Sequence, residues 1–127
     1  MSPTRIQIVY SRKPDGISDE EYDRWYDAHR YEILSIPGFV AVQRFAIEPV
    51  VGATAADSFT HIAIYEVEGD FDELAQHMAE MHLDTAEAYV EYKRSAPSDP
   101  PLPAWWDDVR FASWNGRSLG ERLTLPE

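Results

Sequence analysis

Four histidines and one helix-spaced run of aromatic residues are the parts of this sequence best suited to chemistry. Imidazole titrates closer to neutral pH than any other unperturbed side chain, which suits it to moving protons in either direction. At about 100° per residue, Tyr22, Trp25, Tyr26, His29, Ile33 and Ile36 share one helical stripe, while Asp23, Arg24, Asp27 and Arg30 lie opposite. The stripe is aromatic in its first half and aliphatic in its second. Three aromatic rings around one imidazole point to a pocket for a flat or ring-containing ligand. The competing reading is a structural histidine bonded to a carbonyl. Tyr26 and Glu32, three residues to either side, are within reach to orient His29.

The chemistry that follows has His29 as general base or acid. Tyr26, with Tyr10 or Tyr65, would hydrogen-bond a substrate carbonyl or phenol and stabilise an enolate-like transition state. Tyr22, Trp25, Phe39 and Phe45 would stack on a ring, and Trp105 or Trp106 would cover the pocket mouth as part of a lid. Arg44 would meet a substrate carboxylate if it faced the helices, although strand parity sets it opposite Gln43 and Phe45. His82 falls near the centre of an apolar arc between Met78 and Tyr89, either as a core residue or as a second catalytic histidine. His61 shares a strand face with Phe59, Ala63 and Tyr65, so it points to the helices or into a subunit interface. His77 sits at a helix edge and is expected in solvent.

No metal site is expected. His77 and His82 are five residues apart and diverge around a helix, no HxxxH or HxH occurs, and there is no cysteine. Only a convergence of His29, His61 and His82 in space would change that. Most acids read as surface, and no spacing forces two carboxylates together as a glycosidase would need.

These side chains need a frame. Arg5 to Arg12 alternates Ile6, Ile8 and Tyr10 against Gln7, Val9 and Ser11, as a strand does. After a Lys13-Pro14-Asp15-Gly16 turn, Ser18 followed by Glu21 gives the capping-box start of a helix, expected to run to about Ser35 and to stop before Pro37-Gly38. Two strands are expected at Phe39 to Ile47 and Phe59 to Val67, joined by a flexible loop from Glu48 to Ser58. The first should show Phe39, Ala41, Gln43, Phe45 and Ile47 on one face. A single second helix is expected from about Phe71 to Lys93. A Pro-rich loop over 94–106 and a last strand from Val109 to Trp114 follow, with a polar tail over 115–127. The order β-α-β-β-α-β is the ferredoxin-like pattern: an α+β domain spanning 1–127, with a four-stranded antiparallel sheet and two helices on one face. Apolar residues on both strand faces leave the far side of the sheet to be covered, and a face-to-face homodimer does this.

Trp25 to Ile47 (WYDAHRYEILSIPGFVAVQRFAI) resembles the signature of EthD-like proteins of the dimeric α/β-barrel superfamily. The resemblance rests on Trp25, Tyr26, His29, Glu32, Leu34, Pro37, Gly38, Phe39 and Arg44, and on the later AIYEVEGD from Ala63 to Asp70. It departs at Tyr31, where many relatives carry proline. The resemblance implies a dimeric α/β barrel and a cofactor-free lyase or isomerase, such as a dehydratase, decarboxylase or cyclase, acting on an aromatic or polyketide-like compound. It equally admits a cofactor-independent monooxygenase or a non-catalytic binding protein. Some dimeric α/β-barrel families hold haem through a second-helix histidine, here His82. The scarcity of bases for its propionates argues against that, and no cofactor is expected.

Bulk composition narrows the partners. A chain of 127 residues with net charge −12, from 23 acids against 11 bases, repels phosphate backbones and anionic membranes. No apolar run reaches the ~20 residues of a membrane span, and no secretory signal is expected. A cytoplasmic protein binding a small molecule is the expectation.

Overall fold

The computed structural model describes residues 4–50, 52 and 59–126. The expected loop between the middle strands falls mostly outside them. Seven regular elements follow in order: β1 (Arg5–Arg12), α1 (Asp19–Leu34), β2 (Phe39–Ala46), β3 (His61–Val67), α2 (Phe71–Glu80), α3 (Ala86–Ser95) and β4 (Arg110–Arg117). The strands form one sheet in the order β2-β3-β1-β4, with every neighbouring pair antiparallel. This is the ferredoxin-like α+β arrangement.

Side-chain alternation decides what each face of the sheet does. In β3, His61, Ala63, Tyr65 and Val67 are buried beneath the helices, opposite Ser11, Val9, Gln7 and Arg5 of β1. The other parity puts Ile6, Ile8 and Tyr10 of β1, Ile62 and Ile64 of β3 and Trp114 of β4 together on the face without helices. Phe59, just ahead of β3, packs its ring against Tyr10 at 5.4 Å and not beside His61.

Strand β2 differs from simple alternation. Phe39 pairs with Val67 and Ala41 with Glu66, so Val40 is an extra residue, a β-bulge. Beyond it the parity inverts: Val42 pairs with Tyr65 and Arg44 with Ala63, on the helix face, while Phe45 turns away from Phe39. Uninterrupted alternation therefore fails from Ala41 onward.

Ser18 caps α1, accepting from the Glu21 amide at 3.1 Å, and Asp19, Glu20 and Glu21 complement the helix dipole. The tight exit uses Gly38 at φ +111°, a conformation that L side chains rarely adopt. The single second helix expected from Phe71 to Lys93 is two helices. Asp70 caps α2 and Thr85 caps α3, and His82 between them has φ +63°. Thr85, a good N-cap in the middle of the apolar pattern, favours a stop and restart over one continuous helix. The last strand also runs further than expected, to Arg117.

Two clusters fill the space between sheet and helices. One is aliphatic-rich, with Ile33, Ile36, Phe39, Tyr65, Val67 and Leu74. The other is aromatic, with Tyr22, Trp25, Tyr26, Tyr89 and Trp105. No helix of the described residues is long and apolar enough to cross a membrane.

Candidate functional site

A cavity of about 350 Å³ opens where the two clusters meet. Its floor is the helix face of the sheet, with Gln7, Val9, Tyr65 and Ser113, and its roof is Tyr26, His29 and Ile33 of α1. Met78 and the turn from Leu83 to Ala86 close one side, and Tyr89, Trp106 and Phe111 close another. The lining is largely apolar, with a few polar groups, as small-molecule sites usually are.

His29 is the chemical centre of this cavity. Its ring stacks on Trp25 at 4.7 Å and meets Tyr89 edge-on at 5.4 Å. Its Nδ1 lies 2.9 Å from Glu32 Oε1, one turn further along α1. Glu32 also accepts from the Tyr89 hydroxyl at 2.7 Å and pairs through Oε2 with Lys93 Nζ at 2.6 Å. Burial works against the charge on Glu32, but the hydrogen bonds from His29, Lys93 and Tyr89 outweigh it and hold its pKa below the usual value. An ionised carboxylate only accepts, so Nδ1 must carry the proton facing it. In the neutral ring that leaves the lone pair on Nε2, which bonds to no described residue. A carboxylate fixing a histidine tautomer in this way is the arrangement of a poised proton acceptor.

Lys93 is itself buried and completes the scaffold. Besides Glu32 it donates to Pro100 O at 2.6 Å, Ser98 O at 3.1 Å and Ser98 Oγ at 3.0 Å. One ammonium thus ties α3 and the Pro-rich loop to α1. Trp25 Nε1 adds a bond to Pro101 O at 2.8 Å. Burial and the neighbouring Glu32 carboxylate push the Tyr89 phenol well above its ordinary pKa, keeping it a donor. Burial likewise raises Tyr26, and Tyr65 to about 12, so both stay protonated hydrogen-bond donors at the cavity wall.

Of the residues expected at a site, His29, Tyr26, Tyr65 and Trp106 line this cavity. Trp25 backs His29 from outside the lining. Tyr22 is fully buried, donating to Ser11 Oγ at 2.8 Å. Phe39 packs on Tyr65 in the aliphatic cluster. Trp105 is a buried core ring whose Nε1 donates to Glu21 Oε2 at 2.8 Å; it packs in the aromatic cluster and does not line the cavity. Tyr10 is on the opposite face of the sheet. His82 is exposed at the α2–α3 turn, stacked on Tyr92 at 5.0 Å, and does not reach His29; the broken helix removes it from the arc assumed for it.

Arg44 does face the helices, because of the bulge, but lines a different cleft with His61. Its guanidinium lies over the Tyr26 ring at 4.6 Å and pairs with Asp23 at 3.2 Å and Asp27 at 3.6 Å. Two carboxylates already engage it. His61 bonds Thr60 Oγ1 at 2.7 Å and approaches Asp23 at 3.6 Å, and burial depresses its pKa. His77 is at the surface beside Glu80. No group of three or more histidines and acids able to hold a metal occurs among the described residues.

Sequence reasoning weighed Glu32 but passed over Lys93, Tyr89 as a hydrogen-bond donor, and the polar floor of Gln7 and Ser113. The available signal was Tyr89 and Lys93 four apart, on one face of a helix.

No family model matches the chain, and no curated protein does. Solved structures do. The Arabidopsis thaliana protein At3g17210 superposes with TM-score 0.59 at 16% identity, over 95% of this chain and 100% of that one. A dabb family protein with a ferredoxin-like fold from Mesorhizobium loti gives 0.54 at 13%, covering 92% and 99%. A hydroxynitrile lyase from Passiflora edulis gives 0.52 at 13%, covering 98% and 100%. At these identities the likeness is one of fold: the chain has the ferredoxin-like α+β fold.

Proposed function

We propose that the cavity is the active site of a cofactor-free lyase- or isomerase-type enzyme acting on a small aromatic compound, with His29 as general base and acid. The observation that carries this reading is the His29–Glu32 pair, in which His29 Nε2 bonds to no described residue at an aromatic-walled cavity. Tyr26 and Tyr65, both protonated, supply donors for an oxygen that gains charge. The resemblance of Trp25 to Ile47 to EthD-like proteins supports it, as does the lyase among proteins of this fold.

The apolar face of Ile6, Ile8, Tyr10, Ile62, Ile64 and Trp114 suits a second copy of the chain, giving a dimeric α/β barrel. Trp114 alone is 66% exposed in one chain. Wild type should sediment as a dimer and Ile64→Glu as a monomer.

The test of catalysis is a panel of hydroxylated aromatics and aromatic cyanohydrins, followed by proton NMR with a parallel oxygen electrode. Turnover without oxygen uptake is expected, falling roughly 10²–10⁴-fold in His29→Ala. Full activity in that variant refutes the mechanism. Oxygen uptake coupled to turnover would make the protein a monooxygenase, and binding without turnover a carrier.

A further inference from the structure

We infer that the ligand of this cavity carries a cationic, amine-type arm, and that the groove outside the cavity selects for it. This rests on the cavity being the ligand site. A second, wider groove of about 780 Å³ runs along the outer side of α3 and shares Ala86, Trp106 and Phe111 with the cavity. The rings of Trp106 and Phe111 pack at a tilt with centroids 5.2 Å apart, so the same pair of rings stands between the inner space and the outer one.

The two spaces differ in chemistry. Inside, among the described residues, no lysine or arginine lines the cavity, and Asp84 supplies its one carboxylate. His29, 8% exposed, bears the Nε2 that bonds to no described residue. Outside, three carboxylates of Glu87, Glu91 and Asp107 face one guanidinium, that of Arg94. Glu87, Glu91 and Arg94 fall on one face of α3 by helical spacing, while Tyr89 and Lys93 use the other to hold Glu32. An aromatic ring seated against Tyr26, Tyr65 and Trp106 would lead any substituent past the Trp106–Phe111 pair into a field of negative sign. A carboxylate there is repelled, and an ammonium is attracted. Arg44, the cation expected from the sequence to meet a substrate carboxylate, opens on another cleft and is paired.

The experiment uses three probes with one ring: 1-naphthylmethylamine, 1-naphthalenemethanol and 1-naphthoate, titrated into the full chain and followed by amide chemical shifts at low ionic strength. The amine should bind about 10-fold more tightly than naphthoate, with the alcohol between, and salt should narrow the gap. Glu87→Lys/Glu91→Lys should reverse the order. Asp72→Lys/Glu121→Lys, which changes net charge equally but elsewhere, should leave it intact. Equal affinity of naphthoate and amine for wild type overturns the inference, as does an unchanged order in the groove variant or a reversal in the control. If the three probes bind without a charge order, only this inference falls. If none shifts the amides of cavity residues, the reading of the cavity as a ligand site falls with it.

Discussion

Replacing Lys93 by Met should be among the most costly single changes outside the cavity lining. The side chain is buried, and its ammonium is within 2.6 Å of both Glu32 Oε2 and Pro100 O, with Ser98 O and Oγ at 3.1 and 3.0 Å. Met fills similar space but donates nothing, so the expected loss is that of breaking a buried pair from one side. Such losses run at about 3–5 kcal/mol. Glu32 keeps the donors His29 Nδ1 and Tyr89 OH, which places the cost near the lower end, about 3 kcal/mol. Guanidinium unfolding followed by tryptophan fluorescence measures it as a lower midpoint at unchanged slope. Adding Glu32→Gln removes the stranded charge, so the double variant should lose less than the sum of the two single losses. A loss below about 1 kcal/mol for Lys93→Met would put the pair with solvated surface pairs and refute the argument.

Other expectations concern the frame. Burial, reinforced by Arg44, lowers the pKa of His61 in the folded state below the ordinary 6.5, so the unfolded chain takes up the proton first. Stability should therefore be full above about pH 6.5 and decline as pH falls through it, and His61→Gln should flatten that decline in unfolding curves at stepped pH. A Cβ at Gly38 would meet Leu74 Cδ1 at 3.0 Å with φ at +111°, so Gly38→Ala should cost about 1–3 kcal/mol by the same denaturation assay. Tyr22→Phe strips the 2.8 Å bond to Ser11 Oγ and should cost about 1 kcal/mol, with a fold still native by circular dichroism.

The stripe of α1 was fully legible. Tyr22, Trp25, Tyr26, His29, Ile33 and Ile36 are all buried, since helical period is a local property of the chain. The alternation of β1 and β3 was legible for the same reason. What was hidden depended on partners distant in sequence. Glu32 joins Lys93 across 61 positions only once α3 packs on α1, and the four-residue spacing of Tyr89 and Lys93 marks a face of α3 without naming its partner. The break at His82 was signalled by Thr85, the N-cap of the next helix, but the apolar spacing on either side continues through it and masks the stop.

The extra residue at Val40 acts on the strand as a frameshift acts on a message. Each side chain after it trades the interior for the open face, so Arg44 reaches Tyr26 while Phe45 faces away. Removing that one residue would leave the order of the others intact and exchange the inside and outside of β2 beyond it. A guanidinium would then lie on the apolar face proposed above to meet a second chain. A one-position error in aligning this strand at the bulge would assign the wrong residues to both the polar cleft and the proposed subunit contact.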